Sequence, residues 1–143
     1  DISQGRGQIE MMEQSVQELL SQDYVRLDEK TVVSQAIKNM TGAQASEAYV
    51  ISSEGRFLGK VSLHGLLTAS DKTTVMSSLM SNPILIKHDA SLQQSIEIAS
   101  EFVGEAIPVV HLKTGQMFGV LSEADLFQAY LAAQNKITDL EKK

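Results

Sequence analysis

Apolar residues at Val33, Ala36, Ile37 and Met40 recur with the spacing of one helix face, and Tyr24-Val25-Arg26-Leu27 just before them has the make-up of a short strand. The period then changes. Ala48 to Ile51 reads as a second strand, Ser53-Glu54-Gly55 as a turn in which glycine supplies positive φ, and Phe57 to Val61 as a third strand pairing back as a hairpin. The same order follows in Ile84 to Ile86, a helix over Leu92 to Val103, Ile107 to Val110, the turn Lys113-Thr114-Gly115, and Met117 to Leu121. A helix closes each unit: the first carries Leu63, Leu66 and Leu67, and the second starts at Ser122 and runs through Leu126, Phe127, Tyr130 and Leu131. Upstream, Ile9, Met12, Val16, Leu19 and Leu20 draw one apolar stripe on a leading helix.

The repetition extends to single residues. Leu19-Leu20-Ser21 matches Leu79-Met80-Ser81, Tyr24-Val25 matches Ile84-Leu85, and Tyr49-Val50 matches Val109-Val110. "GKVSLHG" at Gly59 to Gly65 matches "GVLSEAD" at Gly119 to Asp125, so the frame is kept while the final acid is present once. The offset is sixty residues at both ends and 59 around Ala36, which predicts one extra residue near Glu29 and another near Gly104. Such self-similarity marks two copies of one supersecondary unit. The predicted fold is therefore α+β: two βαββα repeats packed as a pseudo-twofold pair behind a leading N-terminal helix. Residues 1–15 form a connector and the start of that helix, 16–70 the first repeat, 71–134 the second, and 135–143 a polar C-terminal tail.

From roughly Val16 to Gln134 this combination resembles a tandem pair of CBS domains, the regulatory unit called a Bateman module. The glycine-ended hairpins, "IPVV" at Ile107 to Val110, "GVLSEAD" and the repeat carry the resemblance. The segment Ile2 to Leu20 also resembles the connector that joins the membrane part of chloride channels and chloride/proton exchangers to a cytoplasmic CBS pair. These resemblances imply a cytoplasmic regulatory domain with an upstream membrane domain on the same polypeptide. They also imply association as a homodimer through the helices after the hairpins, and AMP, ADP or ATP as the ligand.

Taken alone, Ser122-Glu123-Ala124-Asp125 reads as a capping box, in which the serine caps the helix and the acid reaches back to the serine N–H. The resemblance gives Asp125 a second role, holding the two ribose hydroxyls, with Ser122 beside the phosphates. A carboxylate has the two acceptor oxygens for that task. The same resemblance implies strand edges around the ligand: Ile84, Ile86 and Lys87, then Ile107 and Pro108, and Ala45 to Ala48 from the first repeat. Gly65 has no acceptor to offer, which predicts that the first repeat's own site is degenerate or empty. "TGAQASEA" before Tyr49 places no aromatic side chain at the expected stacking position.

Composition narrows the alternatives. At 143 residues and 43% hydrophobic, the chain suits one compact domain, and no apolar run approaches the roughly 18 residues of a membrane span. Zero cysteines exclude disulfides and thiolate metal sites, and a net charge of −6 opposes nucleic-acid binding. His64, His88 and His111 lack paired-ligand spacing, so no metal is expected. No serine sits in a nucleophile elbow, and nothing else supports an enzyme. Gly5-Arg6-Gly7 reads as connector and the methionines as core. The start at Asp1 suggests a piece of a longer polypeptide.

Overall fold

A computed structural model describes residues 16–102 and 104–141. The first repeat comprises β1 (Arg26–Asp28), α1 (Val33–Gly42), β2 (Glu47–Ile51), β3 (Phe57–Ser62) and α2 (Leu63–Leu67). The second comprises β4 (Ile86–Lys87), α3 (Leu92–Ala99), β5 (Ile107–Val110), β6 (Met117–Leu121) and α4 (Glu123–Glu141). Each repeat makes a three-stranded sheet with a parallel first pair and an antiparallel hairpin. The mixed α+β architecture of two βαββα units is as the pattern predicts.

Four expectations change in detail. Ile9 and Met12 of the expected leading helix lie outside the described residues, as do Gly5-Arg6-Gly7 and Met11, and Val16–Leu19 is a single 3₁₀ turn. The helix expected to reach Val103 ends at Ala99. The last helix runs on to Glu141, so residues 135–141, expected as a tail, continue it. The fourth correction concerns alignment of the repeats. Val50 pairs with Gly59 and Val109 with Gly119, so the counterpart of Tyr49-Val50 is Pro108-Val109, an offset of 59. Leu27 opposite Val50 and Ile86 opposite Val109 keep the same offset. It becomes sixty only past the second hairpin connection, where residues 111–116 replace the shorter 52–56. One inserted residue in that turn therefore explains what looked like two.

The lead-in to each repeat is built into the other. Val16, upstream of β1, is fully buried in the second core beside Ile86, Ile107 and Leu121, with Leu19 and Leu20 packed on it. Val75 and Leu79, upstream of β4, join the first core with Leu27, Val50 and Leu66. Backbone bonds fix the exchange: Ser21 and Val120 donate to each other's carbonyls at 2.9 and 3.0 Å, and Met80 N–H donates to the Lys60 carbonyl at 2.8 Å. Close approach is possible because the strands offer glycine there. A Cβ at Gly59 would lie 2.8 Å from Leu79 Cδ2, and one at Gly119 would lie 3.0 Å from the Ser21 carbonyl oxygen.

The hairpin tips also meet across the pseudo-twofold. Phe57 N–H donates to Gly115 O at 2.9 Å and Met117 N–H to Gly55 O at 3.0 Å. Both glycines hold positive φ, +87° and +77°, which a side chain resists. Helix α1 lacks a side-chain cap at Val32; the inter-repeat linker replaces it, with Val33 N–H donating to Thr73 O at 2.8 Å. With both sheet faces covered, β2 and β5 are buried almost throughout.

Candidate functional site

Strand β2 sends Ala48 and Val50 into its own core and turns Tyr49 toward the second repeat, where the phenol donates to Ala106 O at 3.1 Å. Glu47 lies on the same face as Tyr49. Its Oε1 accepts the Glu105 N–H at 2.9 Å and pairs with Lys60 Nζ at 2.9 Å, with both side chains almost wholly buried. Lys60 Nζ also donates to Ala106 O at 3.1 Å and stands 4.8 Å from the Phe102 ring centroid. Glu105 in turn accepts from the Ser46 backbone N–H at 2.9 Å and from its hydroxyl. This network ties the loop before β5 to the first sheet. It leaves no buried side-chain polar atom unpartnered among the described residues. Burial, then the nearby Glu47 and Glu105 carboxylates, pushes the Tyr49 phenol above the ordinary tyrosine range.

A cleft of about 270 Å³ opens beside this network, lined by Asp23, Tyr24, Val25, the loop Ala43 to Ala45, Tyr49 and, from the second repeat, Glu105 and Ala106. Tyr24 and Tyr49 stand edge to face at 5.3 Å. Tyr24 is shared with an adjoining cavity of about 420 Å³ that reaches Arg26, Gln22 and Gln116 near the hairpin tips. The Arg26 guanidinium lies 4.8 Å over the Tyr24 ring and donates to Gln22 Oε1 at 2.8 Å. Aromatic side chains therefore do face the cleft, contrary to the expectation drawn from "TGAQASEA". They come from the segment before β1 and from β2 itself, and their meeting depends on strand pairing that local sequence does not report.

The residues proposed from sequence are dispersed. Ala45 lines the open cleft. Ile86 and Ile107 are fully buried in the second core, with Ile84 packed against it, and Pro108 is buried opposite Val120. Lys87 is exposed and borders a separate hollow with Asp89, Gln94 and Glu97. Ser122 accepts the Asp125 N–H at 3.1 Å, as Ser62 accepts the Gly65 N–H at 2.9 Å. The half-buried Asp125 carboxylate has no hydrogen bond or ion pair among the described residues. The reciprocal half of the expected capping box is therefore not formed there. A complete box stands instead at Ser91 and Gln94.

Two of the histidines come together. His88 and His111 stack at 4.4 Å and 12°, with Phe118 edge-on to both. His88 Nδ1 accepts the Leu112 N–H at 2.9 Å, and His111 Nδ1 accepts from Lys113 at 3.1 Å and Thr114 at 3.2 Å. With Nδ1 accepting, a neutral ring carries its proton on Nε2, which leaves no lone pair for a metal.

Residues 75–132 match the family model of the CBS domain, and the described chain has the fold of solved CBS domain pairs. It is similar to the CBS domain pair/ACT domain protein of Thermotoga maritima, with 22% identity, 84% of this chain and 98% of that chain covered, and a TM-score of 0.74. CbpB, solved in complex with c-di-AMP, is similar at 12% identity, with 97% and 99% of the two chains covered and a TM-score of 0.82. The cytosolic domain of the Mg²⁺ channel MgtE, solved in complex with ATP, is similar at 20% identity over 88% of this chain and 52% of that one, with a TM-score of 0.71. No curated protein matches the chain.

Proposed function

We propose that this chain is the regulatory CBS pair of a larger membrane protein and that it senses an adenine nucleotide, AMP, ADP or ATP, in the cleft between its repeats. The observation that carries the proposal is the open cleft on the first repeat, whose own site the sequence led one to expect degenerate or empty; it is walled by Tyr24 and Tyr49 and shares Tyr24 with the Arg26 cavity. A purine needs flat faces and backbone partners, which the two tyrosines and the Ala43 to Ala45 loop supply. A phosphate needs a cation, and Arg26 stands in the adjoining space. Solved relatives holding ATP and c-di-AMP support the ligand class. Regulation rather than catalysis follows from this reading.

The parent is a chloride channel or exchanger with the pair on its cytoplasmic side, supported by the resemblance of Ile2 to Leu20 to that family's connector. The Mg²⁺ channel relative supports a transporter parent as a class. Among the described residues no helix is long and apolar enough to cross a membrane, so the reading assigns that task to an upstream domain.

Calorimetric titration with AMP, ADP and ATP tests the ligand. One nucleotide per chain is expected, with affinity falling at least about tenfold, or roughly 1.4 kcal/mol, in Tyr24→Ala. No binding at millimolar nucleotide would overturn the reading and leave a ligand-free dimerisation module.

A further inference from the structure

We infer that the open cleft selects a nucleoside monophosphate: Arg26 beside it can meet a single phosphoryl group, while Asp23 and Glu105 disfavour a longer phosphate chain. The inference rests on the nucleotide reading of that cleft and narrows its ligand. Three acids, Asp23, Glu47 and Glu105, line the cleft, and a fourth, Asp28, lines the space that shares Tyr24 with it. Among the described residues lining either space, Arg26 is the one lysine or arginine. Glu47 is neutralised from behind by Lys60 at 2.9 Å. The other three carboxylates have no ion pair among the described residues. Glu105 Oε1 accepts the Ser46 N–H and hydroxyl, and Asp28 Oδ1 accepts the Lys30 N–H at 2.8 Å, so both keep their negative charge toward the space they line. Asp23 is exposed and is tied down only through its backbone, whose N–H donates to Ser21 Oγ at 3.0 Å.

The Tyr49 phenol feels the same field: burial first, and then the Glu47 and Glu105 carboxylates, hold it above the ordinary tyrosine range. Arg26, by contrast, is fixed where one phosphate can use it. Its guanidinium lies 4.8 Å over the Tyr24 ring and Nη2 donates to Gln22 Oε1 at 2.8 Å, while Gln22 Nε2 donates to Phe118 O at 2.6 Å. A guanidinium has five N–H donors, and those that Gln22 leaves can bind one phosphoryl group in a forked pair. A second and a third phosphoryl group find no further cation and bring their charge toward Asp28 on one side or Asp23 and Glu105 on the other. Discrimination by such uncompensated like charge is graded and is screened by salt.

Calorimetric titration of the chain with adenosine, AMP, ADP and ATP, in EDTA so that no divalent cation masks the phosphates, tests the inference. AMP is expected to bind tightest, ATP at least about fivefold more weakly with ADP between them, and added salt should narrow the gap. Adenosine should fall below AMP, and Arg26→Gln should bring AMP down to the affinity of adenosine. Asp23→Asn with Glu105→Gln removes both charges while leaving Ser46 an acceptor, and is expected to bring ATP to within about twofold of AMP. Asp23→Asn alone, at an exposed position, should narrow the gap in the same direction should the double variant fail to melt cooperatively. ATP or ADP binding as tightly as AMP, adenosine matching AMP, or a gap unmoved by the neutral variants would overturn the inference while leaving the cleft a nucleotide site. No binding of any of the four at millimolar concentration would sink that reading and the inference with it.

Discussion

At both helix starts a serine hydroxyl accepts the N–H three residues on, from Gly65 in α2 and from Asp125 in α4, so the cap is indifferent to which side chain stands there. Ser122→Ala is therefore expected to cost about 1 kcal/mol in urea unfolding. Asp125→Ala should cost only about 0.5 kcal/mol, the contribution of an acid near a helix N-terminus. Equal losses would show that the carboxylate caps after all. The sequence misled here because Asp125 occupies the box position, yet aspartate is one methylene shorter than the glutamine that closes the box at Ser91. Tyr49 supports a second expectation. Its phenol is raised in the folded chain, so the folded state keeps a proton that the unfolded state gives up near about pH 10. Below that pH both states hold it and nothing changes. Above it stability declines by up to about 1.4 kcal/mol per pH unit until the folded phenol ionises. The stability difference between the parent and Tyr49→Phe should shift against the parent as pH rises above about 10, and a constant difference would contradict the assignment.

At the scale of elements, the hairpins were the most legible part, since Ile107 to Val110 and Met117 to Leu121 are the observed strands. Their alternation with turn glycines is local information. Register was not: Tyr49-Val50 aligns on Val109-Val110 as readily as on Pro108-Val109, because each option pairs apolar with apolar. Only backbone pairing separates them. The exchange of lead-ins was equally hidden, for Val16, Leu19 and Leu20 keep a helix-like spacing while serving a four-residue 3₁₀ turn on the opposite repeat. That exchange predicts a contrast between glycines. Gly119→Ala should lower unfolding stability by about 1–3 kcal/mol, because the added carbon meets not only the movable Gln22 amide at 2.9 Å but also the fixed Ser21 carbonyl oxygen at 3.0 Å. Gly42→Ala, at the end of α1 with nothing within 4 Å, should be neutral or stabilising by up to about 1 kcal/mol. A Gly119→Ala variant as stable as the parent would mean the lead-in is not held on β6.

At the scale of the whole molecule, the pseudo-twofold was readable and its breakage was not. Repetition in sequence declares two similar units; that an ion pair and an ammonium–ring contact stand on one side only depends on Phe102, Lys60 and Glu47 meeting from the loop after α3 and from strands β3 and β2. An expectation about assembly rests on another surface. Phe127 and Leu131 are 54% and 45% exposed on α4, and Phe127 with Tyr130, Leu126, Ile96 and Ala99 borders a mainly apolar groove of about 340 Å³ between α3 and α4. Leu67 on α2 is 61% exposed. Scattered exposed leucines are ordinary, but aromatic and aliphatic groups gathered around one groove mark an association surface. A helix surface of this kind that meets its own copy closes into a twofold dimer, in which Phe127 of each chain meets the other's groove. The chain is thus expected to sediment as a dimer at tens of micromolar. Phe127→Glu would place a charge in that contact without touching the core, since Leu126 and not Phe127 faces inward. It should yield a monomer with an unchanged melting temperature, apart from any concentration dependence lost with the dimer. A parent that sediments only as monomer, or a Phe127→Glu variant that remains dimeric, would remove this surface as the seat of assembly.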